Sequence, residues 1–182
     1  MKLNNIIDGA DPKFHEIALN CQQFLEESEN HPLVKYCSRD YPDVHRVKVR
    51  KRKPKDNFSN AFNEVFYESY PSLRERSIII NSVQSNNTEP FFVFPSDGFK
   101  FIYSPMVKDS KMQYGNAFDD ITSTLSEDGG KEVFQEMISY VYTDDSLQNA
   151  IVESSEIIVY NIPYFYVVRC NIEYDKILGY IK

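Results

Sequence analysis

Tryptophan is absent from this chain, cysteine is scarce and no long apolar run occurs. Each absence excludes something. No apolar stretch approaches the roughly 18 residues that a membrane-crossing helix needs. Met1–Ala10 has no basic segment followed by an apolar one, so neither a membrane span nor a secretion signal is expected. Three cysteines, Cys21, Cys37 and Cys170, form an odd set without C-x-x-C spacing. That argues against a disulfide framework and for a reducing, cytosolic setting. No Cys/His cluster exists to build a structural zinc site, and no metal site is expected. His15 lies off the apolar stripe of its helix, His31 precedes a proline, and His45 is remote from both. Phosphate-loop, G-x-G-x-x-G, G-x-S-x-G and H-E-x-x-H patterns are also missing, as are internal repeats and low-complexity linkers.

What is present suits one sizeable core: 182 residues, with 42% hydrophobic and 26% charged residues. Phenylalanine and tyrosine, 13 of each, fall largely in strand-type runs and point to a β-rich interior. Charge is uneven. The net value is −7, yet Arg46 through Lys55 holds seven cations. Such a run can contact phosphates or a partner's acidic face, or it can be a solvated strand edge whose lysines block unwanted pairing.

In chain order, residues 1–10 are expected to be a flexible arm. Asp11-Pro12 opens a helix with Phe14, Ile17, Ala18, Cys21, Phe24 and Leu25 on its apolar face, ending before His31-Pro32. Cys21 reads as a small buried side chain rather than a nucleophile. Leu33–Cys37 reads as a short strand and Val44–Arg50 as a strand or extended edge. Asn57 caps a second helix, with Phe58, Ala61, Phe62, Val65 and Phe66 inward, closed by Pro71. Arg76–Val83 is a strand; Pro90–Phe94 and Phe99–Tyr103 are two more, joined by a turn through Gly98. Residues 104–123 read as irregular. Lys131–Tyr142 is a helix with Val133, Phe134, Met137, Ile138 and Val141 inward, and Asp144-Asp145-Ser146 caps a short one through Ile151. Glu153–Val168 reads as a hairpin: an apolar strand opening on Glu156, a tight Asn161-Ile162-Pro163 connection, and a strand returning beside the first. Glu156 either marks a site where a sheet opens to solvent or only solubilises a strand end. Ile172–Ile181 is expected as a last edge strand or docking tail. The class is α+β.

Several short segments occur in a telling order. Cys21-Gln-Gln-Phe24-Leu25 and Leu33-Val34-Lys35-Tyr36 are followed by Arg50-Lys51-Arg52-Lys53-Pro54-Lys55-Asp56-Asn57 and Arg76-Ser77. Val93-Phe94-Pro95, Tyr103-Ser104-Pro105 with Asp109, Glu156-Ile-Ile-Val and Tyr164-Phe165-Tyr166 complete the series. This order resembles the ADP-ribosyltransferase fold of the Arg-Ser-Glu type, and more closely small bacteriophage proteins of that fold. The resemblance covers most of Cys21–Asp109 and Leu147–Val168.

The resemblance implies a split β-sandwich over residues 11–182: two packed, mostly antiparallel sheets with N-terminal and inserted helices, and NAD in the cleft between the sheets. Breaking the nicotinamide–ribose bond passes through an oxocarbenium-like state that a carboxylate stabilises. By resemblance Glu156 takes that role, Ser77 orients it, and Lys35, Arg46, Arg50 and Arg76 contact the cofactor's charge. The sequence departs from the pattern. Lys35 and Tyr36 stand where an arginine and a glycine belong, so the two-pronged grip on pyrophosphate is lost. Ser154-Ser155-Glu156 replaces a Glu-x-Glu pair, and a Ser-Thr-Ser triplet is absent. Two functions follow as expectations. One is a non-catalytic derivative that binds a host or virion protein, or nucleic acid, through Arg46–Lys55, and needs no cofactor. The other is an active mono-ADP-ribosyltransferase that uses NAD. Either belongs in the cytoplasm of an infected bacterial cell or in a virion.

Overall fold

In a computed structural model, the described residues are 12–37, 41–51, 53–66, 70, 73, 77–80, 88–153 and 156–181. The arm expected at 1–10 lies outside them, as do Arg76 and residues 81–87.

The first helix is two. α1 (Pro12–Asn20) and α2 (Gln22–Glu27) meet at Cys21, whose φ −129° and ψ 30° are not helical. The break has a cause. The Asn20 carbonyl accepts from the Asp97 N–H at 2.7 Å, Asp97 Oδ1 accepts from the Gln23 N–H at 2.9 Å, and Gln23 Oε1 accepts from the Gly98 N–H at 2.8 Å. A turn about 75 residues downstream thus plugs into the helix backbone. The apolar face is as expected, since Phe14, Ile17, Cys21 and Phe24 are all buried.

Next come β1 (Val34–Cys37), β2 (Val44–Lys48) and α3 (Asn57–Val65). Asp56 rather than Asn57 is the cap of α3, accepting from the Ser59 N–H at 2.8 Å. β3 (Ser77–Ile80), β4 (Glu89–Pro95), β5 (Lys100–Ser104), β6 (Glu156–Tyr160) and β7 (Tyr164–Arg169) complete the strands. They form two antiparallel sheets, a four-stranded one in the order β1-β4-β7-β2 and a three-stranded one in the order β3-β6-β5. The fold is α+β.

The Glu153–Val168 hairpin does not form. β6 pairs with β3 and β5, while β7 pairs with β4 and β2. Each strand is apolar on both faces, and such a strand is satisfied only in the middle of a covered sheet. The tight connection, with Asn161 at φ 61°, therefore steps from one sheet to the other. β4 and β5 divide in the same way across the turn at Gly98, whose φ is 82°. Asn161 Nδ2 donates to the Gly98 carbonyl at 2.9 Å, tying the two crossings together.

Two expectations fail in the second half. Residues 104–123, read as irregular, contain α4 (Ser110–Thr124), capped by Asp109, which accepts from the Met112 N–H at 2.9 Å. Only Phe118 and Ser110 of α4 are buried, so its apolar stripe is too thin to stand out. Of the two readings for residues 172–181 the edge strand fails: they hold α7 (Tyr174–Ile181), a helix that docks on α1, with Phe14 and Tyr180 stacked at 5.2 Å. α5 (Glu127–Ser139) begins earlier than expected, and Val133 and Met137 are exposed while Phe134 and Ile138 are buried. α6 (Leu147–Val152) is capped by Ser146, as read.

Alternation along the strands sorts the layers. Ile158, Tyr160 and Ile102 join Phe58, Phe62, Phe118 and Phe134 of α3–α5 in one core cluster. Ile80, Ile157 and Val159, on the opposite face of that sheet, join Phe91, Val93 and Val167 of the other sheet. Phe92 and Phe94 face α2 and α7 through Phe24 and Tyr174. The order is helices, sheet, sheet, helices. No helix among the described residues is long and apolar enough to cross a membrane.

Candidate functional site

Glu156 opens β6 and is 1% exposed. It shares the face of Ile158 and Tyr160, the one covered by α3–α5. Its backbone N–H donates to the Val107 carbonyl at 2.8 Å. Oε2 accepts from the Ser110 N–H at 2.9 Å and the Ser110 hydroxyl at 3.1 Å, and Oε1 accepts from the Tyr142 hydroxyl at 3.2 Å. The carboxylate thus meets the positive end of α4 and accepts from the N–H of its first residue. Burial, and then the Glu156 charge, raise the Tyr114 phenol above its usual pKa. Neither expectation for Glu156 holds, because it is neither at a solvent-facing opening nor a solubilising end. α4, which hides it, was not legible.

Ser77 lies at the other end of the sheet. It is paired with Tyr160, while Glu156 pairs with Ser104. Four residues of β6 separate the two positions, about 13 Å of extended chain. The Ser77 hydroxyl is buried and finds no hydrogen-bond partner among the described residues. Lys35 Nζ donates to the Ile79 carbonyl, a bridge from β1 to β3 where the two sheets meet. Arg46 is exposed on β2, its guanidinium 5.2 Å from the centre of the Tyr164 ring. Arg50 is exposed just past β2. Lys35, Ser77, Arg46 and Arg50 therefore come together and Glu156 does not join them; Arg76 lies outside the described residues.

What unites the four is a cleft of about 990 Å³ where β3 approaches the four-stranded sheet. Five cations line it: Lys35, Arg46, Lys48, Arg50 and Lys51. Among the described residues no carboxylate does. Tyr36, Tyr41, His45 and Phe165 also line it, with His45 and Phe165 on the strand face opposite that of Arg46 and Lys48. The His45 ring stacks on Tyr41 at 5.3 Å and 22°, and Tyr41 meets the edge of Phe91 at 5.7 Å. Tyr41 and His45 escaped the sequence reading. One lies in a loop and the other on an edge strand, and only their separation of four positions hinted at contact.

Other reactive side chains are quiet. Cys21 is buried, with Sγ 3.6 Å from the Phe94 carbonyl, and burial pushes its thiol pKa up. Cys170 is pushed up to about 11, again by burial. Among the described residues no group of three or more His, Cys, Asp or Glu side chains is arranged to hold a metal ion. Comparisons with protein-family models, curated proteins and solved structures give no match.

Proposed function

We propose that this chain is a phage-type binding protein with an ADP-ribosyltransferase-like split sandwich and no transferase chemistry, and that its basic cleft engages an anionic host or virion factor. The observation that carries this reading is the separation of acid from cleft. A carboxylate that stabilises an oxocarbenium-like state must lie against the ribose. Glu156 instead spends both oxygens on Ser110 and Tyr142 beneath α4. The cleft, for its part, gathers five cations and no acid among the described residues, a field that attracts an anion. Two antiparallel sheets with a cleft at their junction support the fold assignment.

The second reading is an active mono-ADP-ribosyltransferase acting on a host protein or nucleic acid. One observation favours it: Lys35 and Ser77 line the same cleft. Nicotinamide release from NAD separates the two. The binding reading expects none above buffer at millimolar NAD. Release that disappears in Glu156→Gln would overturn it and establish the transferase.

A further inference from the structure

We infer that the anion taken by this cleft is a single-stranded nucleic acid, an inference that rests on the binding reading above. β2 carries two features that single strands need together, one on each face: cations that follow a backbone on the face of Arg46 and Lys48, and on the other, inside the cleft, the His45 ring face that receives bases. Arg46, Lys48 and Arg50 occur at every second position of β2 and its continuation, and all three are exposed. Alternate residues of an extended chain lie about 6.6 Å apart, a step that a sugar–phosphate backbone can follow. Lys51, Lys53 and Lys55, also exposed, carry the basic track from the cleft toward α3.

The rings decide among polyanions. A peptide of Asp and Glu alone needs the cations but brings no ring to an aromatic platform. A duplex satisfies the cations but keeps its bases stacked on one another. Here His45 and Tyr41 form a stacked pair inside the cleft, both half-buried. The pair is held from behind by the Phe91 edge and by Arg169 Nη2, which donates to the Tyr41 carbonyl at 2.8 Å. A base stacks on such a platform without regard to its identity, so binding should be tolerant of sequence.

The test uses the full chain and three fluorescent probes read by anisotropy: a mixed-sequence single strand of about a dozen nucleotides, the same sequence as a duplex, and a poly-glutamate peptide. Single-strand binding is expected, weakening about 20-fold as salt rises from about 50 to about 200 mM if three phosphates are neutralised. Duplex should bind about tenfold more weakly, the equivalent of one lost stacked base. His45→Ala should lose about tenfold for the single strand and nothing for poly-glutamate. Tyr41→Phe should retain binding, and the Lys48→Glu/Arg50→Glu double variant, altered only at exposed positions, should lose it with an unchanged melting curve. Poly-glutamate bound with neither oligonucleotide bound would overturn this inference and leave the anion-binding reading standing. Equal binding of single strand and duplex, or no effect of His45→Ala, overturns it as well. If no probe binds, both readings fall.

Discussion

Glu156 accepts both the backbone N–H and the hydroxyl of Ser110, so the first turn of α4 is fastened to the first residue of β6. This pair, 46 residues apart in sequence, accounts for why a charged side chain is tolerated at 1% exposure. Each oxygen has a donor, and the helix end supplies compensating positive charge.

Removing that carboxylate should cost stability whether or not the protein has an activity. Glu156→Ala leaves the Ser110 N–H without an acceptor and two hydroxyls to find new ones. A loss of roughly 2–4 kcal/mol is expected from stranding these groups. Glu156→Gln keeps one carbonyl for Ser110 and turns its amide N–H₂ toward Tyr142, whose hydroxyl can rotate to accept. Its loss should be nearer about 1 kcal/mol. Urea denaturation of the three proteins checks the ranking, and equal stabilities would refute the staple. Because the glutamine form should fold, it is also the proper control for any NAD turnover.

Asp56 gives a pH signature. The Lys111 ammonium at 2.7 Å, followed by the bond from Ser59, holds its carboxyl down at about 2. The folded-state pKa lies below the ordinary value. Its contribution is therefore complete above about pH 4 and is lost as pH falls toward 2. The Asp56 side chain is 35% exposed, so solvent screening limits that contribution to about 1 kcal/mol or less. Asp56→Asn retains the cap but not the charge. It should be less stable than the parent at neutral pH and match it near about pH 2, as read by chemical unfolding across the range. A gap that stays constant with pH excludes the mechanism.

Most elements could be read from the chain, but their pairing could not. The apolar runs 156–160 and 164–168 were plain as strands. What their adjacency suggested, a hairpin, is defeated by burial on both faces, which places each in the middle of a different sheet. α4 was missed because Phe118 is its only buried apolar residue, and missing α4 misplaced Glu156 in the solvent. The basic run Arg46–Lys55 was visible as charge. That it borders a cleft with Tyr41 and His45 depends on β3 approaching the four-stranded sheet at β1, which local patterns do not encode. Lys35 was found on the right strand, but its bond to the Ile79 carbonyl across the sheet junction is a tertiary fact.

Two glycines in helices should respond oppositely to alanine. A Cβ on Gly130 of α5 would meet Thr122 Cα of α4 at 2.9 Å and its Cγ2 at 3.0 Å. The helix-propensity gain of about 1 kcal/mol is then outweighed by overpacking of about 1–3 kcal/mol against a backbone that cannot yield. Gly179 of α7 meets nothing within 4 Å and is exposed, so there the propensity gain of about 0.5–1 kcal/mol should appear in full. Thermal melts should move down for Gly130→Ala and up for Gly179→Ala. Shifts of the same sign would show that the α4–α5 contact is not as close as described.

Arg169 joins stability to the cleft. Its guanidinium donates to Glu89 and to the Tyr41 carbonyl at 2.8 Å, lies 3.5 Å from Asp43, and covers the Phe91 ring at 5.3 Å. It is 23% exposed in the side chain, so water replaces these bonds only in part. Lysine at this position keeps the charge but cannot reach three acceptors with one ammonium. Arg169→Lys should lose about 1–2 kcal/mol, the scale of one or two charge-assisted bonds. The Tyr41 carbonyl is the contact that ammonium would sacrifice while holding the carboxylates, so the loop bearing Tyr41 should loosen. Amide exchange at Tyr41 and Asp43 should quicken while that of β6 stays protected. Single-strand affinity should then fall with the ordering of the Tyr41–His45 pair, whereas poly-glutamate, which needs no platform, should be indifferent. An exchange pattern unchanged in the loop, or equal losses for both probes, would remove Arg169 as the residue that sets the platform.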